Sequence, residues 1–134
     1  QIRAIAWKAA LDITKKNPFG VGIGDRKDVF IEKVDNQGHK QFKEKGLNVH
    51  NQYIQILLAV GIPGIIIFLL SLFYPVSLAI KLSNFLMIGF ISNIGVNMLF
   101  ESMLEVQAGI FFYGFFAVLL MKQMVQGRFI FPKQ

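Results

Sequence analysis

The hydrophobic and polar positions divide the chain into a polar first part and an apolar second part. Residues 1–52 mix charged and apolar side chains, whereas the stretch from Ile54 to Met121 contains three charged residues, Lys81, Glu101 and Glu105. A soluble domain of this size would alternate buried and solvated faces along its whole length. The pattern therefore favours an all-α integral membrane protein.

Three apolar runs in the second part predict transmembrane helices. They cover about residues 62–80, 85–103 and 106–121. At roughly 1.5 Å per residue, about nineteen helical residues reach about 28 Å, close to the ~30 Å hydrocarbon thickness of a bilayer. Residues 53–121 are thus predicted to be a membrane region in which an interfacial helix precedes the first span.

The first part, residues 1–52, is predicted to be a loop region with short amphipathic helices. Residues 2–13 place apolar side chains on one helical face. Asn17-Pro18 ends this helix, because proline disfavours helix in the residue before it, and the glycines at 20, 22 and 24 permit unusual backbone angles. We expect a tight turn that approaches a neighbouring backbone closely; the alternative is that its amides contact an anionic substrate.

Two more helices are predicted before the first span. Residues 28–34 form a short one, and Asn48 is a candidate N-cap of another that runs through His50 to Val60. Gly61-Ile62-Pro63-Gly64 interrupts this second helix, and proline suits the first turn of the helix that follows.

The formal net charge of +6 narrows the possible partners. The basic residues of the first part are interleaved with acidic ones and form no dense basic run with aromatic residues, so nucleic acid is not expected. Membrane lipid or a lipid-linked phosphate is the expected partner. Cysteine is absent, which removes disulfides, thiolate chemistry and the commonest structural zinc sites from consideration.

Charge also predicts the orientation. The tail, residues 122–134, carries Lys122, Arg128 and Lys133 without an acidic residue, and the positive-inside rule places it in the cytoplasm. Residues 1–52 then lie outside, although they carry many basic residues as well. Because the chain starts inside a predicted helix without an initiator methionine, we expect it to be a piece of a longer protein.

Two basic side chains are candidates for chemistry. His50 lies where the polar part meets the apolar part, and histidine is the side chain best suited to accept a proton near neutral pH. Its alternative role is to pack or cap beside Asn51. Arg3 offers a fixed fork of donors that suits a diphosphate, and its alternative role is to anchor the first helix at the lipid headgroups.

Polar residues also recur inside the second predicted span. Asn93, Asn97 and Glu101 follow one another at intervals of four, so we expect them to share one helical face, with Glu105 starting the third helix. Interhelical hydrogen bonding is one explanation, and contact with Arg3 or with a substrate is the other. A glycosidase pair of Glu101 and Glu105 is disfavoured, because paired carboxylates must flank the bond that they cleave.

The order of short motifs resembles the C-terminal part of the O-antigen ligase and O-antigen polymerase superfamily of bacterial membrane glycosyltransferases. The matching pieces are Arg3-x-x-x-Trp7, Asn17-Pro18-Phe19-Gly20-Val21-Gly22-Ile23-Gly24, His50-Asn51-Gln52-Tyr53-Ile54-Gln55 with Gly61-Ile62-x-Gly64, and the segment from Phe100 to Gly109. Each match is short, but the four stand in the family's order and span nearly the whole chain.

The resemblance implies a fold, a reaction and a place in the cell. It implies a multi-helix bundle in the bacterial inner membrane, with residues 1–52 in the periplasm, acting in lipopolysaccharide biosynthesis. Arg3 would bind the pyrophosphate of an undecaprenyl-pyrophosphate-linked glycan, and His50 would deprotonate the acceptor hydroxyl. Asn51 and Glu101 would help to bind substrate. The transfer would invert the sugar carbon and would use no metal or cofactor, and other basic residues would come from helices upstream of this piece.

Two questions stay open at the level of sequence. The acceptor could be lipid A-core, another glycan or a protein, since the corresponding enzymes share the donor. A non-enzymatic glycolipid transporter, or a subunit of a membrane complex, is the alternative function, and it predicts indifference to the identity of residue 50.

Overall fold

The computed structural model describes residues 2–126, which are helical and contain no β-strand. The elements are α1 (Ile2–Lys16), α2 (Arg26–Asn36), α3 (Gln41–Glu44), α4 (Gln52–Lys81), α5 (Phe85–Asn97), a 3-10 turn (Met103–Glu105) and α6 (Gln107–Val125). The predicted all-α class is confirmed. Most of the predicted cytoplasmic tail, residues 127–134, lies outside the described residues.

Two apolar cores hold these helices together. The first joins α1, α2, the segment around α3 and the start of α4. α1 contributes Ile13 and three small side chains that allow close packing, Ala6, Ala9 and Ala10. The second joins α4, α5 and α6 through Leu72, Ala79, Met87, Ile91, Leu120 and Met124. The polar first part of the chain is therefore a packed unit built onto the start of α4.

The apolar helices have the length and the exposure of membrane helices. α4 and α6 are long and apolar enough to cross a bilayer. Of the residues in their most apolar stretches, 22% are buried within the structure in α4 and 11% in α6. A core helix of a soluble protein would be mostly buried, whereas these helices turn most of their side chains outward. The fold is consistent with a fragment of a membrane helix bundle.

The second apolar helix is shorter than the predicted segment 85–103. α5 ends at Asn97 and has 13 residues, which span about 20 Å at 1.5 Å per residue, less than the ~30 Å of a hydrocarbon core. As a result Glu101 does not share a helical face with Asn93 and Asn97, as the sequence predicted. Glu105 belongs to the 3-10 turn and does not start α6.

The connection between α5 and α6 leaves the helical path because the start of α4 binds its backbone. The backbone N–H of Gln52 donates to the Met98 carbonyl at 2.9 Å, and its side-chain Oε1 accepts from the Leu104 N–H at 2.8 Å. The Asn51 side chain donates to the Leu99 carbonyl at 3.0 Å. These bonds satisfy backbone groups that helix would otherwise pair.

α4 is broken at Gly61, where the backbone has a φ of +74°. In a continuous helix the carbonyls of Leu58 and Ala59 would accept from residues 62 and 63, but Pro63 has no N–H to donate. A break at this point leaves backbone donors and acceptors that need other partners.

The glycine-rich turn supplies those partners. The Ile62 N–H donates to the Pro18 carbonyl at 2.8 Å, and the Val21 and Gly22 N–H groups donate to the Leu58 and Ala59 carbonyls at 2.9 Å. A Cβ on Gly20 would lie 2.5 Å from the Ala59 oxygen, so the two backbones meet at a distance that only glycine allows. The predicted close approach of this turn to a neighbouring backbone is confirmed, and two of its amides are occupied by it.

We predict that Gly61→Ala destabilises the fold by about 2–4 kcal/mol, because a side chain there combines a positive φ with contact against the backbone of residues 18–20. Thermal unfolding in detergent measures the change. Gly24→Ala, in the same turn but with open space around it, is the matched control and should stay within about 0.5 kcal/mol of the parent. Equal effects of the two substitutions would contradict the account of the break.

Candidate functional site

His50 lies directly before α4 in an uncommon backbone conformation. The N-cap of α4 is Asn51, whose side-chain oxygen accepts from the Ile54 N–H at 3.0 Å. The prediction that Asn48 caps this helix is wrong: its side-chain oxygen accepts from the His50 N–H at 2.9 Å. His50 has a φ of +48°, a left-handed value that is rare outside glycine and that often marks functional positions.

The carboxylate of Glu101 lies between the two basic residues that the sequence singled out. His50 Nδ1 is 3.1 Å from Glu101 Oε2, and Arg3 Nη2 is 3.5 Å from Glu101 Oε1. The three side chains are 37%, 51% and 58% exposed for His50, Arg3 and Glu101. They thus form a cluster that a molecule arriving from outside the chain can reach.

The contact with Glu101 fixes the tautomer of the His50 imidazole. A carboxylate only accepts hydrogen bonds, so the Nδ1 of His50 carries the proton in this contact and the lone pair of Nε2 is left free. A neutral histidine held in this tautomer can take a proton at Nε2. The carboxylate would then stabilise the resulting cation.

Arg3 is placed beside His50 by the docking of α1. Trp7, which follows Arg3 by one helical turn, donates its indole N–H to the Val49 carbonyl at 3.0 Å. Val49 is the residue before His50 and is buried in the same core as Ala6 and Ala10. The backbone of α1 near Arg3 is therefore held next to the backbone of His50 by packed structure.

Asn51 is buried and uses its side chain within the chain. It is 5% exposed, and it bonds both the first turn of α4 and the Leu99 carbonyl. It thereby holds the connection that carries Glu101 next to His50. Its contact with substrate stays a prediction.

A second polar group lies beside this cluster, and sequence reasoning did not find it. Arg26 forms an ion pair with Glu105 and lies 3.2 Å from the Gln55 side-chain oxygen. A cavity of about 140 Å³ adjoins it, lined in part by Asn48 and Lys27. The available signal was that Gln52 and Gln55 are polar residues spaced for one face of an otherwise apolar helix.

Metal-ligating side chains do not gather in the described part of the chain. Within residues 2–126, no group of three or more His, Cys, Asp or Glu side chains could hold a metal ion. The polar atoms that the cluster offers to a ligand are the guanidinium of Arg3, the Nε2 of His50 and the carboxylate of Glu101.

The comparison with protein-family models places these residues in a known family. The model described as O-antigen ligase matches residues 1–69, which is more than half of the chain and includes Arg3, the glycine-rich turn and His50. The chain belongs to the O-antigen ligase family. This O-antigen ligase family member is accordingly a membrane protein of the ligase and polymerase type. Comparisons with curated proteins and with solved structures gave no match.

The family match ends before the connection that carries Glu101. Arg3, His50 and Asn51 lie within residues 1–69, whereas Glu101 lies beyond them. In this O-antigen ligase family member, Glu101 is therefore assigned to the cluster by its contacts in the structure and not by the family match.

We predict that neutral His50 is protonated at Nδ1, since the Glu101 carboxylate accepts from that atom. Nitrogen-15 NMR of the histidine side chains distinguishes the two tautomers. His39, the second histidine of the chain, provides the internal reference. In Glu101→Leu the Nδ1–H population of His50 should fall while the signals of His39 stay unchanged. An unchanged His50 spectrum in that variant would contradict the contact.

Proposed function

We propose that this chain is the catalytic C-terminal part of an inverting membrane glycosyltransferase that moves an undecaprenyl-pyrophosphate-linked glycan onto an acceptor hydroxyl. The observation that carries the proposal is the Glu101 carboxylate in contact with both Arg3 and His50. Such an arrangement joins a base, a group that orients it and a cation for the leaving diphosphate.

In this proposal His50 is the general base. The acceptor hydroxyl gives its proton to Nε2 of His50 while its oxygen attacks the anomeric carbon of the donor glycan. The bond from that carbon to the diphosphate oxygen breaks, and undecaprenyl pyrophosphate leaves with the electron pair. Attack on the face opposite the leaving group inverts the sugar carbon. Glu101 keeps Nε2 available and stabilises the imidazolium that forms.

Arg3 has the role of binding the donor's pyrophosphate. Its guanidinium is half exposed and pairs with an equally open carboxylate, and an exposed ion pair of this kind contributes little stability. A diphosphate, which offers more charge and a matching geometry, can therefore take over the guanidinium. The reaction needs no metal in this scheme, because cationic side chains neutralise the charge of the leaving group.

The topology supports a periplasmic location for the cluster. The start of α4 and the connection from α5 to α6 meet at one end of the apolar helices, whereas Lys81 and Lys122 lie near the ends of α4 and α6 on the opposite side. With these lysines in the cytoplasm, as the positive-inside rule favours, Arg3 and His50 face the periplasm of the bacterial inner membrane.

The proposed partners follow from this location. The donor is a lipid-linked glycan in the outer leaflet, and the acceptor is lipid A-core, another glycan or a protein. Membrane lipids surround the exposed apolar faces of α4 and α6, and no nucleic acid takes part. Residues from upstream helices of the full-length protein complete the donor site.

We predict that His50→Ala in the full-length protein lowers glycan transfer by about 10²–10⁴-fold, the typical contribution of a general base. Lipid-linked donor should accumulate in membranes while the amount of protein stays unchanged, as measured by mass spectrometry of extracted lipids and by immunoblot. His39→Gln is the matched control and should transfer normally. Undiminished transfer by His50→Ala would remove the base role and would favour a glycolipid transporter.

Arg3→Lys should impair transfer even though it keeps the charge, because an ammonium does not reproduce the bidentate fork of a guanidinium. We expect about a tenfold or larger rise in the KM for lipid-linked donor, measured with purified protein and extracted donor. Lys8→Arg, on the same helix, is the control and should leave the KM unchanged. A normal KM in Arg3→Lys would show that Arg3 does no more than anchor α1.

A further inference from the structure

The second polar group connects to the backbone of His50. The Glu105 carboxylate pairs with Arg26 through one oxygen, and its other oxygen lies 3.5 Å from the side-chain nitrogen of Asn48. The oxygen of the same Asn48 amide accepts from the His50 N–H at 2.9 Å. A continuous series of polar contacts therefore runs from Arg26 through Glu105 and Asn48 to His50.

These polar contacts act on His50, whose backbone conformation needs support. Left-handed backbone is unfavourable for a side-chain-bearing residue, so the surrounding structure must hold His50 at its φ of +48°. The bond from Asn48 spans two residues and closes a local turn that contains His50. Glu105 orients the Asn48 amide, because a carboxylate can accept a hydrogen bond only from the nitrogen of that amide and not from its oxygen.

The same polar contacts also fix the connection between α5 and α6, on which Glu101 lies. Leu104, whose N–H is bound by Gln52, is the neighbour of Glu105 and follows Glu101 by three residues. The Arg26–Glu105 pair, with side chains 26% and 20% exposed, is less exposed than the contact of Arg3 with Glu101. It is thus the better shielded of the two ion pairs and the one suited to hold position.

We propose that Arg26, Glu105 and Asn48 are positioning residues that set the geometry between His50 and Glu101 without touching substrate. This inference rests on the proposed function, since it assigns the three residues to the same reaction. It assigns them an effect on turnover, because a displacement of about 1 Å at the reacting groups can cost about 10²-fold in rate.

The test uses the full-length protein, with lipid-linked donor extracted from membranes as substrate. Glu105→Gln and Asn48→Ala should lower kcat by about tenfold to a hundredfold, counted per folded protein, and should leave the KM for donor within about threefold. Asp12→Asn is the matched control, because it removes the exposed ion pair between Asp12 and Lys15, and its kcat should stay normal. Folded protein is counted from thermal unfolding and size-exclusion chromatography.

A charge exchange separates positioning from stability. Arg26→Glu combined with Glu105→Arg restores an ion pair but leaves the Asn48 nitrogen facing a cation. Adding Asn48→Asp lets residue 48 accept from the new arginine and still accept from the His50 N–H. We expect the kcat of the triple variant to be at least about tenfold higher than the kcat of the double variant. Asn48→Asp alone places a second carboxylate beside Glu105, and we expect it to lower kcat.

The outcomes distinguish this inference from the proposed function. If His50→Ala abolishes transfer but Glu105→Gln and Asn48→Ala keep a normal kcat per folded protein, the positioning role is wrong and the proposed function stands. Loss of folded protein alone, with a normal turnover of what remains, also overturns it. If His50→Ala transfers normally, the proposed function itself fails.

Discussion

The exchange of backbone hydrogen bonds between the broken helix α4 and the glycine-rich turn is the constraint on which the rest of the structure depends. Gly61 ends the first stretch of α4, and the turn provides a carbonyl and two N–H groups where the helix has none to offer. Because this turn is the continuation of α1, the same bonds anchor α1 along α4. Arg3, at the start of α1, is thereby brought next to the start of α4, where His50 lies.

The start of α4 organises the other side of the cluster. Its first residues combine two tasks, since Asn51 caps the helix terminus and both Asn51 and Gln52 bind the backbone between α5 and α6. A polar segment at the end of two apolar helices would otherwise have to find its partners in water or at the headgroups. Glu101 is thus carried by backbone that is fixed, while its own side chain is open to solvent.

Sequence patterns predicted the elements of this fold better than their ends. The apolar runs, the amphipathic α1 and the close approach of the glycines followed from local chemistry. The cap did not, because Asn48 and Asn51 are equally good capping residues and tertiary contacts decide between them. The helical stripe that included Glu101 was wrong because Gln52, distant in sequence, binds the backbone after Asn97. The Arg26–Glu105 pair spans 79 residues, and no local periodicity reports a contact of that range.

The position of Glu101 on the link between α5 and α6 has a consequence for biogenesis. The guanidinium and the imidazole are both synthesised before α4, but their shared carboxylate arrives only with the hairpin of α5 and α6. A nascent chain that has threaded α4 into the bilayer still lacks the group that ties the two together. Completion of the cluster therefore has to wait until the hairpin of α5 and α6 has been synthesised and has packed against α4, which makes this hairpin the last of the contributing segments to arrive.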